Sequence, residues 1–170
     1  MHKEISDILT HDDFIGMLFD KGSTTGKSYK CYFDGACVNP GGHIGAGVHI
    51  IEGKKDTTAL YINEYTPANP GNSSNVAEYI ALINLLEIMS DKIDCTIEIF
   101  GDSRLVVNQM NKQWKIKEGL YKSYAVRCLN LFTELRSRNK VSIRWISRDF
   151  NTIADAQSKK AISDNREVKK

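Results

Sequence analysis

The chain is 170 residues long, 41% hydrophobic and 26% charged, with a formal net charge of +2. That length suits one domain with a real core rather than two full ones, and the charge is too mild to mark a nucleic-acid binder by balance alone. The apolar runs fall far short of the ~20 residues of a membrane span, and the opening stretch from Met1 to Ile8 lacks a signal peptide's unbroken apolar region. A cytoplasmic protein with no membrane partner is expected. Cys31, Cys37, Cys95 and Cys128 show no Cys-x-x-Cys pair, which favours buried reduced thiols over a disulfide or a metal knot.

In chain order, residues 1–21 carry apolar positions Ile5, Ile8, Leu9, Phe14, Ile15, Leu18 and Phe19 at helical spacing. The pattern breaks near Thr10, where Thr10 to Asp13 resembles a capping box, so one or two short helices are expected. Residues 21–28 are small and polar and read as a linker. Their Gly26-Lys27-Ser28 is not a phosphate-binding loop, because the position that needs the first glycine is Lys21 and no strand precedes it. Strands are predicted over residues 30–36, 44–51 and 57–65, joined by short turns as an antiparallel meander. Gly42, Gly45 and Gly47 link strand to strand and open no helix. They read as a turn and close strand approach rather than as a dinucleotide fingerprint.

A helical stripe follows over residues 76–89, with Ser73, Ser74 or Asn75 available as its cap and Glu78 in its first turn. On its own Glu78 would be only a favourable charge at a helix dipole. Residues 95–100 alternate as a strand that ends at Gly101-Asp102-Ser103, where open α/β sheets place their ligands. A helix over 104–112, another over 120–135, a last strand over 141–146 and a closing helix over 152–162, capped by Asn151, complete the chain. Asp155 falls in the first turn of that closing helix. Between Lys112 and Arg127 stand Lys112, Lys115, Lys117, Lys122 and Arg127 against the single acid Glu118, with Trp114, Tyr121 and Tyr124 interleaved. Two readings are open: a surface that meets phosphates and stacks on sugars or bases, or a solvated helix face whose aromatics belong to the core. The order β-β-β-α-β-α-α-β-α predicts a five-stranded mixed sheet with helices on both faces, three strands antiparallel and the last two parallel to a central first strand. The expected organisation is an extension over 1–28, one α/β domain over 29–165 and a basic tail over 166–170.

Asp34 stands mid-strand in Tyr32-Phe33-Asp34-Gly35-Ala36. A carboxylate on a buried strand is destabilised by several kcal/mol unless it is paired or meets a cation. Glu78, Asp102 and Asp155, each at an element end or in a first helical turn, are its possible companions. Asp34-Gly35-Ala36, Asn75-x-x-Glu78, Gly101-Asp102-Ser103 and Asn151-x-x-Ala154-Asp155, in this order, resemble ribonuclease H of type 1. The resemblance covers roughly residues 29–162, and its motifs are individually weak but specific as an ordered set of four.

The resemblance implies that Asp34, Glu78, Asp102 and Asp155 gather at one edge of the sheet as catalytic and metal-binding residues. Acids so gathered repel unless divalent cations neutralise them, and oxygen-only ligands select a hard ion, Mg²⁺ or Mn²⁺. Two such ions suit in-line phosphodiester hydrolysis. The implied substrate and partner is an RNA–DNA hybrid, its RNA strand cut to leave 5′-phosphate and 3′-hydroxyl ends. Asn39, Ser73, Ser74, Asn75 and Arg104 are the implied contacts, although Ser73 and Asn75 also suit a purely capping role. Lys112, Trp114 and Lys115 in the basic segment are candidates for the DNA strand. Many relatives carry a histidine in the loop before the last acid, but no histidine follows His49 here and the loop reads Ser147-Arg148-Asp149-Phe150. Arg148, which does not titrate near neutrality, is the candidate for holding phosphate there. A monomer is expected, with a protein partner as one destination for the apolar stripe of the extension. The alternative is a catalytically weak hybrid-binding module of the same fold, and a third reading is another nuclease or integrase of that fold.

Overall fold

Alternation along the first strand decides which way every later element must face. In the computed structural model, which describes residues 26–53 and 58–167, β1 (Ser28–Cys37) buries Tyr29, Cys31 and Phe33 on one side. Lys30, Tyr32 and Asp34 therefore lie on the other. β2 (Ile44–Glu52) pairs antiparallel with β1, and β3 (Thr58–Thr66) antiparallel with β2. β4 (Thr96–Gly101) runs parallel to β1, and β5 (Lys140–Trp145) parallel to β4. The sheet order is β3-β2-β1-β4-β5, so the strand bearing Asp34 is central, as the element order predicts.

Helices α1 (Ser74–Ile88), α2 (Arg104–Met110) and α3 (Lys122–Arg138) follow β3 and β4, and α4 (Thr152–Glu167) follows β5 across a short 3₁₀ turn at Arg148–Phe150. α1 is buried nearly all round, against β1 and β2 on one side and α3 on the other. α4 covers the opposite face of β1, β2 and β3. Glycine makes both approaches possible. A Cβ on Gly35 would stand 2.1 Å from the Ala77 carbonyl carbon, and one on Gly47 would stand 2.2 Å from the Ala154 carbonyl oxygen.

The boundaries differ from the sequence reading in places with physical reasons. α2 ends at Met110 rather than at Lys112, because Lys112 adopts a left-handed φ of 58° that no α-helix continues through. α4 runs to Glu167, five residues past the expected end, helped by the Lys160–Asp164 pair one turn apart at 2.7 Å. Ser73, whose hydroxyl accepts from the Val76 N–H at 3.2 Å, is the residue that caps α1. All four cysteines are free thiols, three of them buried. The expected leader helices, the Thr10 capping box and most of the linker lie outside the described residues.

Replacing Gly47 with valine is expected to lift α4 off the sheet and lower stability by about 1–3 kcal/mol. Urea denaturation of the two proteins checks this, with an unchanged midpoint as the outcome that contradicts it.

Candidate active site

Three acids reach one point from three different elements. The Asp34 side chain lies on the α4 face of β1, Glu78 comes from the first turns of α1 on the opposite face, and Asp102 directly follows β4. One carboxylate oxygen from each lies within 4.8 Å of the others. Asp34 is 2% exposed and Glu78 is 8% exposed, so water does little to screen them from one another.

Each carboxylate is held. The Ser158 hydroxyl donates to Asp34 Oδ2 at 2.6 Å. The Gly35 N–H donates to Glu78, which leaves Glu78 Oε2 buried with no hydrogen-bond partner. Asn151 donates through one amide nitrogen to the Phe33 carbonyl at 2.9 Å and to Asp102 Oδ2 at 3.3 Å. It thereby ties β1, at the residue before Asp34, to the acid that follows β4.

Burial, partly countered by the Ser158 hydroxyl, pushes the Asp34 carboxyl up to about 6, with Asp102 and Asp155 adding repulsion and Arg148 relieving some of it. Glu78 is pushed well above the usual carboxylate range by burial first, then by the charges of Asp34 and Asp102, against the Gly35 N–H and Arg148. A buried, oxygen-only donor set with one orphaned oxygen and mutual repulsion fits a hard divalent cation. These three residues could hold one.

The reverse transcriptase-like family profile matches residues 32–161 of the chain. A ribonuclease HI from Halobacterium salinarum is 31% identical over 139 residues, which is 82% of this chain and 66% of that protein. The chain belongs to the type 1 ribonuclease H family. A ribonuclease H from Chlorobaculum parvum is 34% identical over 88 residues, 52% of this chain and 55% of the relative. The chain thus spans about half the length of the first curated relatives it matches. Among solved structures, the RNase H1 of Halobacterium salinarum superposes with a TM-score of 0.70 at 29% identity, covering 81% of this chain and 98% of that one. LC11-RNase H1, isolated from compost, gives 0.71 at 29% identity over 81% and 97%. The same protein has been crystallised in complex with an RNA/DNA hybrid.

The fourth acid predicted from the sequence does not join the other three. Asp155 stands in the first turn of α4 but outside the group of three, held at 2.7 Å by Lys159 one turn on. Arg148 reaches Asp102 at only 3.9 Å, with its side chain 74% exposed. Asn39, Ser74, Asn75, Arg104, Lys112, Trp114 and Lys115 are all exposed, and Ser73 is half-buried at the cap. The basic segment divides between its two readings. Trp114 is 50% exposed, whereas Tyr121 and Tyr124 pack against the core.

Two histidines near the first hairpin are engaged away from the acids. His43 Nδ1 lies 2.6 Å from the Tyr65 hydroxyl, and His49 stacks on Tyr32. The sequence marks Asn151 as a helix cap and as the start of the Asn151-x-x-Ala154-Asp155 motif, without its bond to Asp102, and assigns nothing to Ser158 or Trp145. Ser158 has a signal in hindsight, since it follows Asp155 by three residues and so shares its helix face.

A carboxyl that keeps its proton longer when folded than when unfolded stabilises fully below its unfolded pKa, and that contribution is lost as pH rises through the folded value. For Asp34 the window runs from about 4 to about 6. Metal-free protein is therefore expected to lose stability across that window, and Asp34→Asn to gain about 1–3 kcal/mol over the parent at pH 8. Melting curves in EDTA at pH 4.5, 6 and 8 check it. A substitution that destabilises at pH 8 contradicts it.

Proposed function

We propose that this chain is an endonuclease that hydrolyses the RNA strand of RNA–DNA hybrids, leaving 5′-phosphate and 3′-hydroxyl ends. The observation that carries the reading is the convergence of Asp34, Glu78 and Asp102 within 4.8 Å, with a buried Glu78 oxygen unpaired, in a chain of this family. In this reading Asp34, Glu78, Asp102 and Asp155 hold two Mg²⁺ ions, with Mn²⁺ able to replace them. Such ions, when bound, supply an activated water and charge for the leaving 3′ oxygen.

The protein's own part is orientation. Asn151 and Ser158 fix the Asp102 and Asp34 carboxylates, and the closely applied helices keep the site dry on the sheet side. Asp155, freed from Lys159, completes the ligand set at the outer edge. Asn39, Ser73, Ser74, Asn75 and Arg104 contact the RNA strand, where adjacent 2′-hydroxyls offer a donor and an acceptor that DNA lacks. Lys112, Trp114 and Lys115 grip the DNA strand, and Arg148 holds phosphate beside Asp102. The catalytic unit is the domain over 29–165, acting as a cytoplasmic monomer. The extension over 1–28 lies outside the chemistry.

Incubation with hybrid, double-stranded RNA and double-stranded DNA in Mg²⁺ tests the reading, with cleavage of hybrid alone as the expected result. Asp34→Asn and Asp102→Asn are each expected to reduce that cleavage by roughly 1,000-fold or more while circular dichroism shows an intact fold. Hybrid bound but left uncut would make the chain a binding module of the same fold, the reading that the engagement of Asp155 with Lys159 favours.

Arg148→Ala is expected to slow turnover less than either acid substitution, by about 10-fold at most. The pH–rate profile should carry no imidazole step near ~6.5 that persists at all metal concentrations. A step near 6 that moves to lower pH as Mg²⁺ is raised is expected instead, because protons and metal compete for Asp34 and Glu78. A step fixed in position, or lost on replacing His43, contradicts this.

A further inference from the structure

Trp145 is the last residue of β5, and two contacts tie it to the acid cluster. Its indole N–H donates to the Asp102 carbonyl oxygen at 3.0 Å. The Arg104 guanidinium carbon lies 4.3 Å from the centre of its ring. One contact thus fixes the residue whose carboxylate joins the trio, and the other fixes a cation two residues further on.

An indole has a single N–H in a rigid plane, so a bond at its edge sets where its face lies. A guanidinium stacked on that face keeps its donor fork in a defined plane, and that fork matches phosphate. Trp145 is 41% exposed and Arg104 is exposed, so the stacked pair stands open to a ligand. Ordering a free arginine on binding loses rotamer freedom, whereas a stacked one has lost it already on folding.

We propose that Trp145 is a positioning residue that holds the Arg104 guanidinium in register with Asp102, so that it meets a backbone phosphate of the hybrid. The inference rests on the hybrid-binding part of the reading above and not on cleavage. It assigns to Trp145 a share of substrate affinity that a buried strand residue would not have.

The test reads binding of a fluorescently labelled RNA–DNA hybrid by anisotropy, with Ca²⁺ in place of Mg²⁺, over a series of salt concentrations. Arg104→Gln and Trp145→Leu are each expected to raise Kd about threefold to tenfold and to lower the salt slope by about one. The double variant should be no weaker than the weaker single one, because both remove the same contact. Trp145→Phe, which keeps a ring beneath the guanidinium, should fall between wild type and Trp145→Leu. A wild-type Kd for Trp145→Leu, losses that multiply in the double variant, or an Arg104→Gln without effect each overturn the proposal. Should Trp145→Leu fail to fold, Trp145→Phe alone and with Arg104→Gln carry the same cycle. Hybrid bound by wild type but never cut in Mg²⁺ sinks the cleavage reading and leaves this one standing, whereas no binding at all sinks both.

Discussion

The arrangement depends on keeping three carboxylates together where water cannot screen them. Asp34 and Glu78 are buried, which raises the reluctance of both to ionise, and the charges of Asp34 and Asp102 add to that of Glu78. Left to themselves such groups would turn outward or hold their protons. What prevents the first escape is backbone contact on both sides of the central strand. α1 touches β1 at Gly35, which brings Glu78 level with Asp34, and α4 touches β2 at Gly45 and Gly47, which brings Ser158 onto Asp34. A side chain at any of these glycines would open the gap and release the acids.

The nearest cations do little to offset the cluster. Arg148 approaches Asp102 from solvent at 3.9 Å, where a charge pair is worth under about 1 kcal/mol. Lys159 is engaged with Asp155, the one acid that stands apart. The acids that converge are therefore Asp34, Glu78 and Asp102, with Asp155 adding repulsion on Asp34 from the first turn of α4. Cations that come and go suit such a site better than fixed lysines would, because a permanent counter-charge would close the donor set to anything else.

The fold was largely legible because each element obeys its own local rule. The alternation of β1, the long apolar run of α1, the short turns of the meander and the later alternation of strands with helices made the mixed sheet with a central first strand legible. The candidate acids were legible because each sits where a strand is buried, a strand ends or a helix starts. Less could be read where local pattern and tertiary contact disagree. Lys112 carries no sign of its left-handed backbone, and residues past Ile162 give no apolar reason to stay helical, so both helix ends were misjudged. In residues 112–127 one composition serves two purposes, with Tyr121 and Tyr124 turned to the core and Trp114 to solvent. Trp145 read as an ordinary strand residue because both of its partners, the Asp102 carbonyl and Arg104, lie some forty residues earlier in the sequence.

Helix α2 links the two halves of the surface. Its N-terminal side follows Asp102 and begins with Arg104, while near its C-terminal end Gln109 is 2% exposed with both ends of its amide engaged. The Tyr79 hydroxyl donates to the Gln109 oxygen, and the Gln109 nitrogen donates to the Lys115 carbonyl at 3.0 Å. The basic segment is thus pinned to a core residue of α1, the helix that also supplies Glu78. Seven helical residues span about 10 Å, so the distance from the acid cluster to the start of the basic segment is set by a helix length rather than by loop flexibility. On the proposed reading, the separation between the strand that is cut and the strand that is gripped is a property of the folded core, fixed before any substrate arrives.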